Sequence, residues 1–150
     1  MDNEQIDQII DKFEAKPGSL IMILMDIQHH HRWLPKEALE RVSERLDVPL
    51  GKVHQIASFY KTFSLVPKGR HEIHVCTGTS CHLRGAQKVL DAVEELAGIR
   101  PGETDTQSKF SVETVNCVGA CALGPVMQVD GAYHGRMVPE KTADVLKSVE

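Results

Sequence analysis

The spacing of apolar positions changes period once along the chain. Up to about residue 60, apolar side chains recur three and four apart, the period of an amphipathic helix. Ile6, Ile9, Ile10 and Phe13 share one face of a first helix that Asn3 can cap, running to about Ala15 and stopped by Lys16-Pro17-Gly18. Ser19 is expected to cap a second helix, in which Leu20, Ile21, Ile23, Leu24 and Ile27 recur, and Trp33-Leu34-Pro35 ends it. Pro35 suits the first turn of a third helix through Leu46. Asp47-Val48-Pro49 turns the chain into a fourth, from about Leu50 to Tyr60. So small a helical unit buries little apolar area by itself, and the pattern predicts that it packs on another surface.

From Arg70 the period falls to two. Ile73 and Val75 alternate with His74 in a short strand ending at Cys76. Ala86, Val89, Leu90, Val93, Leu96 and Ala97 mark a helix closed by Gly98. A polar loop follows, then alternation from Phe110 to Val115. Two strands joined at Asp130-Gly131 form a hairpin, and Pro139 opens a last helix with Ala143, Val145, Leu146 and Val149. The order strand, helix, strand, strand, helix predicts an α+β chain: a small N-terminal helical bundle, residues 1–66, and an α/β domain, residues 67–150.

Composition adds the class. The chain has 150 residues, 41% hydrophobic and 25% charged, which suits one soluble domain or two very small ones. Its longest apolar run, Leu20 to Met25, is far too short to span a bilayer. The start M-D-N-E-Q lacks the basic and apolar segments of a secretory signal, so a cytoplasmic location without membrane insertion is expected. In that reducing compartment four cysteines are metal ligands or redox groups more readily than disulfides. The net charge of −4 divides evenly between the two parts and argues against nucleic acid. One stretch breaks the balance: between Asp47 and Glu72 there is no acidic residue, while Lys52, Lys61, Lys68 and Arg70 are present. It is either a solvated surface or a docking surface.

The chemistry lies in two short runs. C-T-G-T-S-C places four residues between Cys76 and Cys81, and N-C-V-G-A-C places three between Cys117 and Cys121; these are all the cysteines. Gly78 and Gly119 lie inside the two loops and Gly124 follows, which lets thiolates converge and backbone N–H groups point at sulfur. A tetrahedral zinc site can use such pairs, although zinc knuckles favour two intervening residues. An iron–sulfur cluster favours wider loops such as these. Four unrelated thiols or two disulfides form a third reading, with no Cys-x-x-Cys of the thioredoxin type present.

C-T-G-T-S-C-H-L-R-G-A followed by N-C-V-G-A-C-A-L-G-P resembles the thioredoxin-like [2Fe–2S] subunit family of NADH dehydrogenases, NAD(P)-linked hydrogenases, formate dehydrogenases and electron-bifurcating enzymes. G-S-L-I-M-I-L-M-D-I-Q, W-L-P-K-E-A-L and V-H-Q-I-A-S-F-Y are similar to that family's N-terminal bundle, so the likeness covers nearly the whole chain. The resemblance implies a thioredoxin-like fold for the α/β domain. It implies one [2Fe–2S] cluster, with Cys76 and Cys81 on one iron and Cys117 and Cys121 on the other. It also implies an electron-transfer role without a catalytic residue of its own, beside a larger iron–sulfur subunit carrying FMN and binding NAD(P)H, and further iron–sulfur subunits. Two positions depart from the pattern. Asn116 stands where an acidic residue is familiar and Gly124 where alanine is common, both next to ligands whose hydrogen bonding tunes the potential.

No nucleophile–base pair, Walker loop or dinucleotide fingerprint is present. His82 follows Cys81 and reads as a neighbour or helix cap rather than a ligand; Arg84 offers charge near the centre or an exposed helix residue. His29, His30 and His31 are consecutive and share no helix face. Met127 and Met137 read as packing groups. Two other function classes compete: a redox-sensing DNA-binding regulator, with residues 39–60 drawn as a helix-turn-helix, and a zinc-stabilised scaffold subunit. The first is short of cations for phosphate contact.

Overall fold

The structure, a computed structural model, describes residues 3–149 and divides into two compact units, Met1–Pro67 and Lys68–Glu150.

The first unit is helical: α1 (Asn3–Lys12), a 3-10 turn (Pro17–Ser19), α2 (Leu20–His31), α3 (Lys36–Leu46) and α4 (Leu50–Phe59). The first helix stops three residues before the predicted Ala15, because Glu14 and Ala15 take left-handed backbone at φ 55° and 47°. Ser19 does sit at the start of α2, but its side chain makes no capping bond. The second helix ends at His31, with Arg32 left-handed, before the predicted Trp33-Leu34-Pro35 stop. Contrary to the expectation that this part lacks a core of its own, Ile10, Ile23, Leu24, Ile27, Leu39, Val42 and Val53 are fully buried together within it. Four short helices suffice because each turns an apolar stripe to a common centre. Charge ties α1 to α3 at the rim. Arg41 donates to both carboxylate oxygens of Asp7, Nε at 2.8 Å and Nη2 at 2.6 Å, and Arg45 reaches Asp7 at 2.9 Å. Burial opposes ionisation of Asp7 but is outweighed, chiefly by the hydrogen bonds from Arg41, so its carboxyl lies below the usual carboxylate range.

The second unit runs β1 (His71–Cys76), α5 (Thr79–Leu83), α6 (Ala86–Ala97), β2 (Phe110–Val115), a 3-10 turn (Cys121–Leu123), β3 (Met127–Val129), β4 (Ala132–His134) and α7 (Pro139–Ser148). Its sheet has the order β2-β1-β3-β4. The β1–β2 pair is parallel, from His71 opposite Phe110 to Cys76 opposite Val115, and α6 makes the crossover. The β1–β3 and β3–β4 pairs are antiparallel. Ile73, Val75, Val112, Met127 and Val129 form one apolar cluster with Val89 and Val93 of α6 and Leu146 of α7. Met127 and Met137 are buried packing groups, as their positions suggest. Asp130 and Gly131 at φ 50° and 82° make the tight hairpin turn that such a dipeptide favours.

The parallel pairing decides where the chemistry falls. Two adjacent parallel strands end at the same edge, so the chain leaving Cys76 and the chain leaving Val115 emerge side by side. One prediction needs correction: the C-T-G-T-S-C run is not all loop, since residues 79–83 form α5 and place Cys81 on a helix.

Candidate metal centre

Cys76 is the last residue of β1, Cys81 lies in α5, Cys117 follows β2 by one residue after Asn116, and Cys121 opens the 3-10 turn. The elements bring the thiols together as two pairs. Cys76 and Cys81 are buried, at 1% and 2% exposure, and the Cys76 thiol donates to the Asn116 carbonyl at 3.8 Å. Cys117 and Cys121 lie with sulfurs 3.5 Å apart and are exposed. None of the four is in a disulfide. Among the described residues no three His, Cys, Asp or Glu side chains converge as one mononuclear site; the thiols stand two and two.

Glycine allows the two loops to meet. A Cβ on Gly78 would fall 2.9 Å from Cys117 Cβ and 3.1 Å from its Cα, far inside normal contact. A Cβ on Gly124 would lie 3.2 Å from Cys81 Sγ and 3.3 Å from the Cys121 carbonyl oxygen. The Gly124–Pro125 peptide is cis. Ser80 Oγ donates to the Cys121 carbonyl at 3.4 Å, and Arg84 Nη1 donates to the Ala122 carbonyl at 3.4 Å, tying α5 to the second loop.

The electrostatics favour anionic sulfur at the strand end. Burial raises the Cys76 thiol, but backbone N–H groups of Gly78 and Val118, with the Cys81 thiol, outweigh it and bring it below the usual thiol range. Cys81 is pushed up by burial and by its bond to Cys76, with the Val126 N–H acting against this. Cys121 is raised by its hydrogen bond with Cys117. The Gly119 N–H donates to Cys117 Sγ at 3.4 Å. Four thiols in two pairs, served by main-chain donors, are a donor set that suits a two-iron cluster, which takes two thiolates per iron and uses N–H···S bonds.

The remaining predicted features fall elsewhere. His82 lies in the last turn of α5 and is exposed, and Asn116 is exposed. His29 and His30 are exposed on the last turn of α2, where His30 and His31 border an open basin of about 560 Å³ that Lys12 and Asp26 bridge at 2.8 Å. In the acid-free stretch Lys68 is not a free charge; it forms an ion pair with Glu113 and is mostly buried. Lys52 and Lys61 remain exposed. The Val118 and Val126 donors were invisible in the sequence, because a main-chain N–H carries no residue signature. Gly78 and Gly124 did carry one, the glycine itself.

Comparison with known proteins gives a consistent picture. The model of the family described as thioredoxin-like [2Fe–2S] ferredoxin matches residues 6–150. The chain is 36% identical over 142 residues to the NADP-reducing hydrogenase subunit HndA of Solidesulfovibrio fructosivorans, covering 95% of this chain and 83% of that one. It is 34% identical over 143 residues to a subunit of the NADH-quinone oxidoreductase of Rickettsia bellii (strain RML369-C), covering 93% and 86%. A crystal structure of NAD+-reducing [NiFe]-hydrogenase in the air-oxidized state shares the fold, with TM-score 0.75 and 21% identity over 87% of this chain. This chain spans only 22% of that hydrogenase chain. Among the described residues no helix is long and apolar enough to cross a membrane.

Proposed function

The chain belongs to the thioredoxin-like [2Fe–2S] ferredoxin family, and on that premise we propose that it is the electron-transfer subunit of a multisubunit NAD(P)-linked oxidoreductase. Cys76 and Cys81 hold one iron of a [2Fe–2S] cluster, and Cys117 and Cys121 hold the other. When bound, such a cluster supplies a one-electron carrier. The chain's own residues do the rest. Parallel strand ends bring the loops together, Gly78 permits their approach, and the N–H groups of Gly78, Val118, Gly119 and Val126 offset charge on sulfur. Hydride chemistry belongs to a larger partner subunit that carries FMN and binds NAD(P)H. The reading places the assembly in the cytoplasm. Residues 67–150 are the cluster domain, and residues 1–66 serve assembly. Exposed apolar side chains on the helical unit, Met22, Met25, Phe59 and Val66, support a docking role, with the exposed Lys61 between the last two in sequence.

The observation that carries this reading is the pairing of four thiols on two touching loops. Neither a DNA-binding regulator nor a zinc-stabilised scaffold gains support from the relatives. Anaerobic purification tests the reading: two irons, two acid-labile sulfides and a brown spectrum are expected. One zinc and a colourless solution would end it. Serine at any one of Cys76, Cys81, Cys117 or Cys121 should weaken or abolish the cluster, whereas His82→Ala should leave it bound.

A further inference from the structure

The cysteine end of the α/β unit differs from the rest of the chain in both charge and exposure. No acidic residue occurs between Glu72 and Asp91, between Glu113 and Asp130, or between Asp130 and Glu140, the segments that build the thiol loops and their surroundings. Cations are present there. Arg84 lies against the Ala122 carbonyl, the Arg136 backbone N–H donates to the Leu123 carbonyl at 2.6 Å, and Lys141 donates to the Gly135 carbonyl at 2.7 Å. Among the described residues these three cations form no ion pair.

Two leucines stand out between them: Leu83 is 79% exposed and Leu123 46%. The close approach of Gly135, where a Cβ would meet Leu123 Cβ at 2.8 Å, seats that leucine at the surface. Leu83, Arg84 and the exposed Cys117 and Cys121 line one open basin of about 610 Å³. Cys76 and Cys81 are almost wholly covered, and the same basin that exposes Cys117 and Cys121 is the one that borders Cys81, so a partner comes closest to the centre on the side of the exposed pair. Exposed leucines with cations beside them in the same loops have the makeup of a contact site, apolar surface next to charge.

We infer that electrons enter and leave through the Cys117–Cys121 edge, and that Leu83, Arg84, Leu123 and Arg136 form the docking face for a redox protein whose own face carries acidic side chains around an apolar centre. This rests on the cluster assignment proposed above. The partner's sign follows from charge complementarity. The chain's net charge of −4, made more negative by four thiolate ligands in the loaded protein, repels an acidic partner at long range, and the local cations oppose that at contact distance, where salt screens least.

Small redox reagents test the local sign. The full-length protein, reduced and loaded, is mixed with ferricyanide in a stopped-flow instrument; it gives up one electron, ferricyanide becomes ferrocyanide, and no proton moves. The rate should fall as salt rises, as for a positive protein, and the rate with cationic hexaammineruthenium(III) should rise. Arg84→Glu with Arg136→Glu should slow ferricyanide about tenfold at low salt and reverse its salt dependence. Lys109→Glu with Lys147→Glu makes the same net change beyond the opposite end of the sheet and should alter the rate little. A wild-type ferricyanide rate that climbs with salt, or equal effects of the two double variants, would overturn the inference.

Hydrogen exchange supplies a readout independent of electron flow. Residues 79–84 and 121–124 should exchange more slowly in the native complex than in the isolated chain, and Leu83→Asp should lower partner retention with the visible spectrum intact. Unchanged exchange in the complex refutes the docking face. Iron and sulfide are measured first. Their absence sinks the cluster assignment, and the exchange comparison then still decides the docking face.

Discussion

Replacing Gly78 by alanine tests the geometry of the centre directly. Gly78 has φ −56° and ψ 154°, a conformation any residue adopts, so the substitution carries no backbone penalty of its own. The cost is contact. The new methyl would stand 2.9 Å from Cys117 Cβ and 3.1 Å from Cys117 Cα. Carbon atoms settle at about 3.5–4.0 Å, so the loops must part by roughly half an ångström or more. No rotamer relieves this, because the atoms struck are fixed to the backbone. Overpacking of this kind costs about 1–3 kcal/mol, and a domain of this size loses about 4–8 °C of midpoint per kcal/mol. The same movement draws Cys117 and Cys121 away from Cys76 and Cys81, so metal content should suffer more than the fold. Gly124→Ala is the internal comparison. Its methyl meets Cys81 Sγ at 3.2 Å and the Cys121 carbonyl oxygen at 3.3 Å, milder contacts that need shifts of a few tenths of an ångström and should cost less than the Gly78 change. Calorimetry on the metal-free proteins under reductant, with iron and sulfide assays on the anaerobic preparations, gives both quantities. A Gly78→Ala midpoint within about 2 °C of wild type with full iron content, or greater damage from Gly124→Ala, would refute the reasoning.

Two further outcomes are expected. Because Asp7 is held below the usual carboxylate range, its contribution is fully present above the unfolded carboxylate value of about 4 and is lost as pH falls through the folded value. Asp7→Asn should therefore lower stability by about 1 kcal/mol at pH 6, with the gap to wild type closing toward pH 3 in denaturant titrations; a gap independent of pH would assign the loss to something other than this ion pair. Residues 68–150 expressed alone should take up iron and sulfide under reconstitution, since all four thiols and the sheet lie there, and failure to do so would make the helical unit part of the site.

Much of this molecule was determined by the sequence alone, through properties that act over a few residues. Helical periodicity places α2, α3 and α4, alternation places β1 and β2, and Asp130-Gly131 places the hairpin, because each signal is local and the native contacts agree with it. The cysteine spacing likewise singles out the four thiols that the two runs carry. What the sequence did not reveal depends on contacts across dozens of residues. That Glu14 and Ala15 turn left-handed, that α5 carries Cys81, and that the helical unit closes its own core are products of packing, which overrides weak local preference. Lys68 looked like a free surface charge until the strand pairing put Glu113 beside it. The division of the thiols into a covered pair and an open pair follows from β1 lying inside the sheet and the 117–121 loop lying outside it. Only the tertiary structure decides that, because burial belongs to the assembled sheet and not to any one residue.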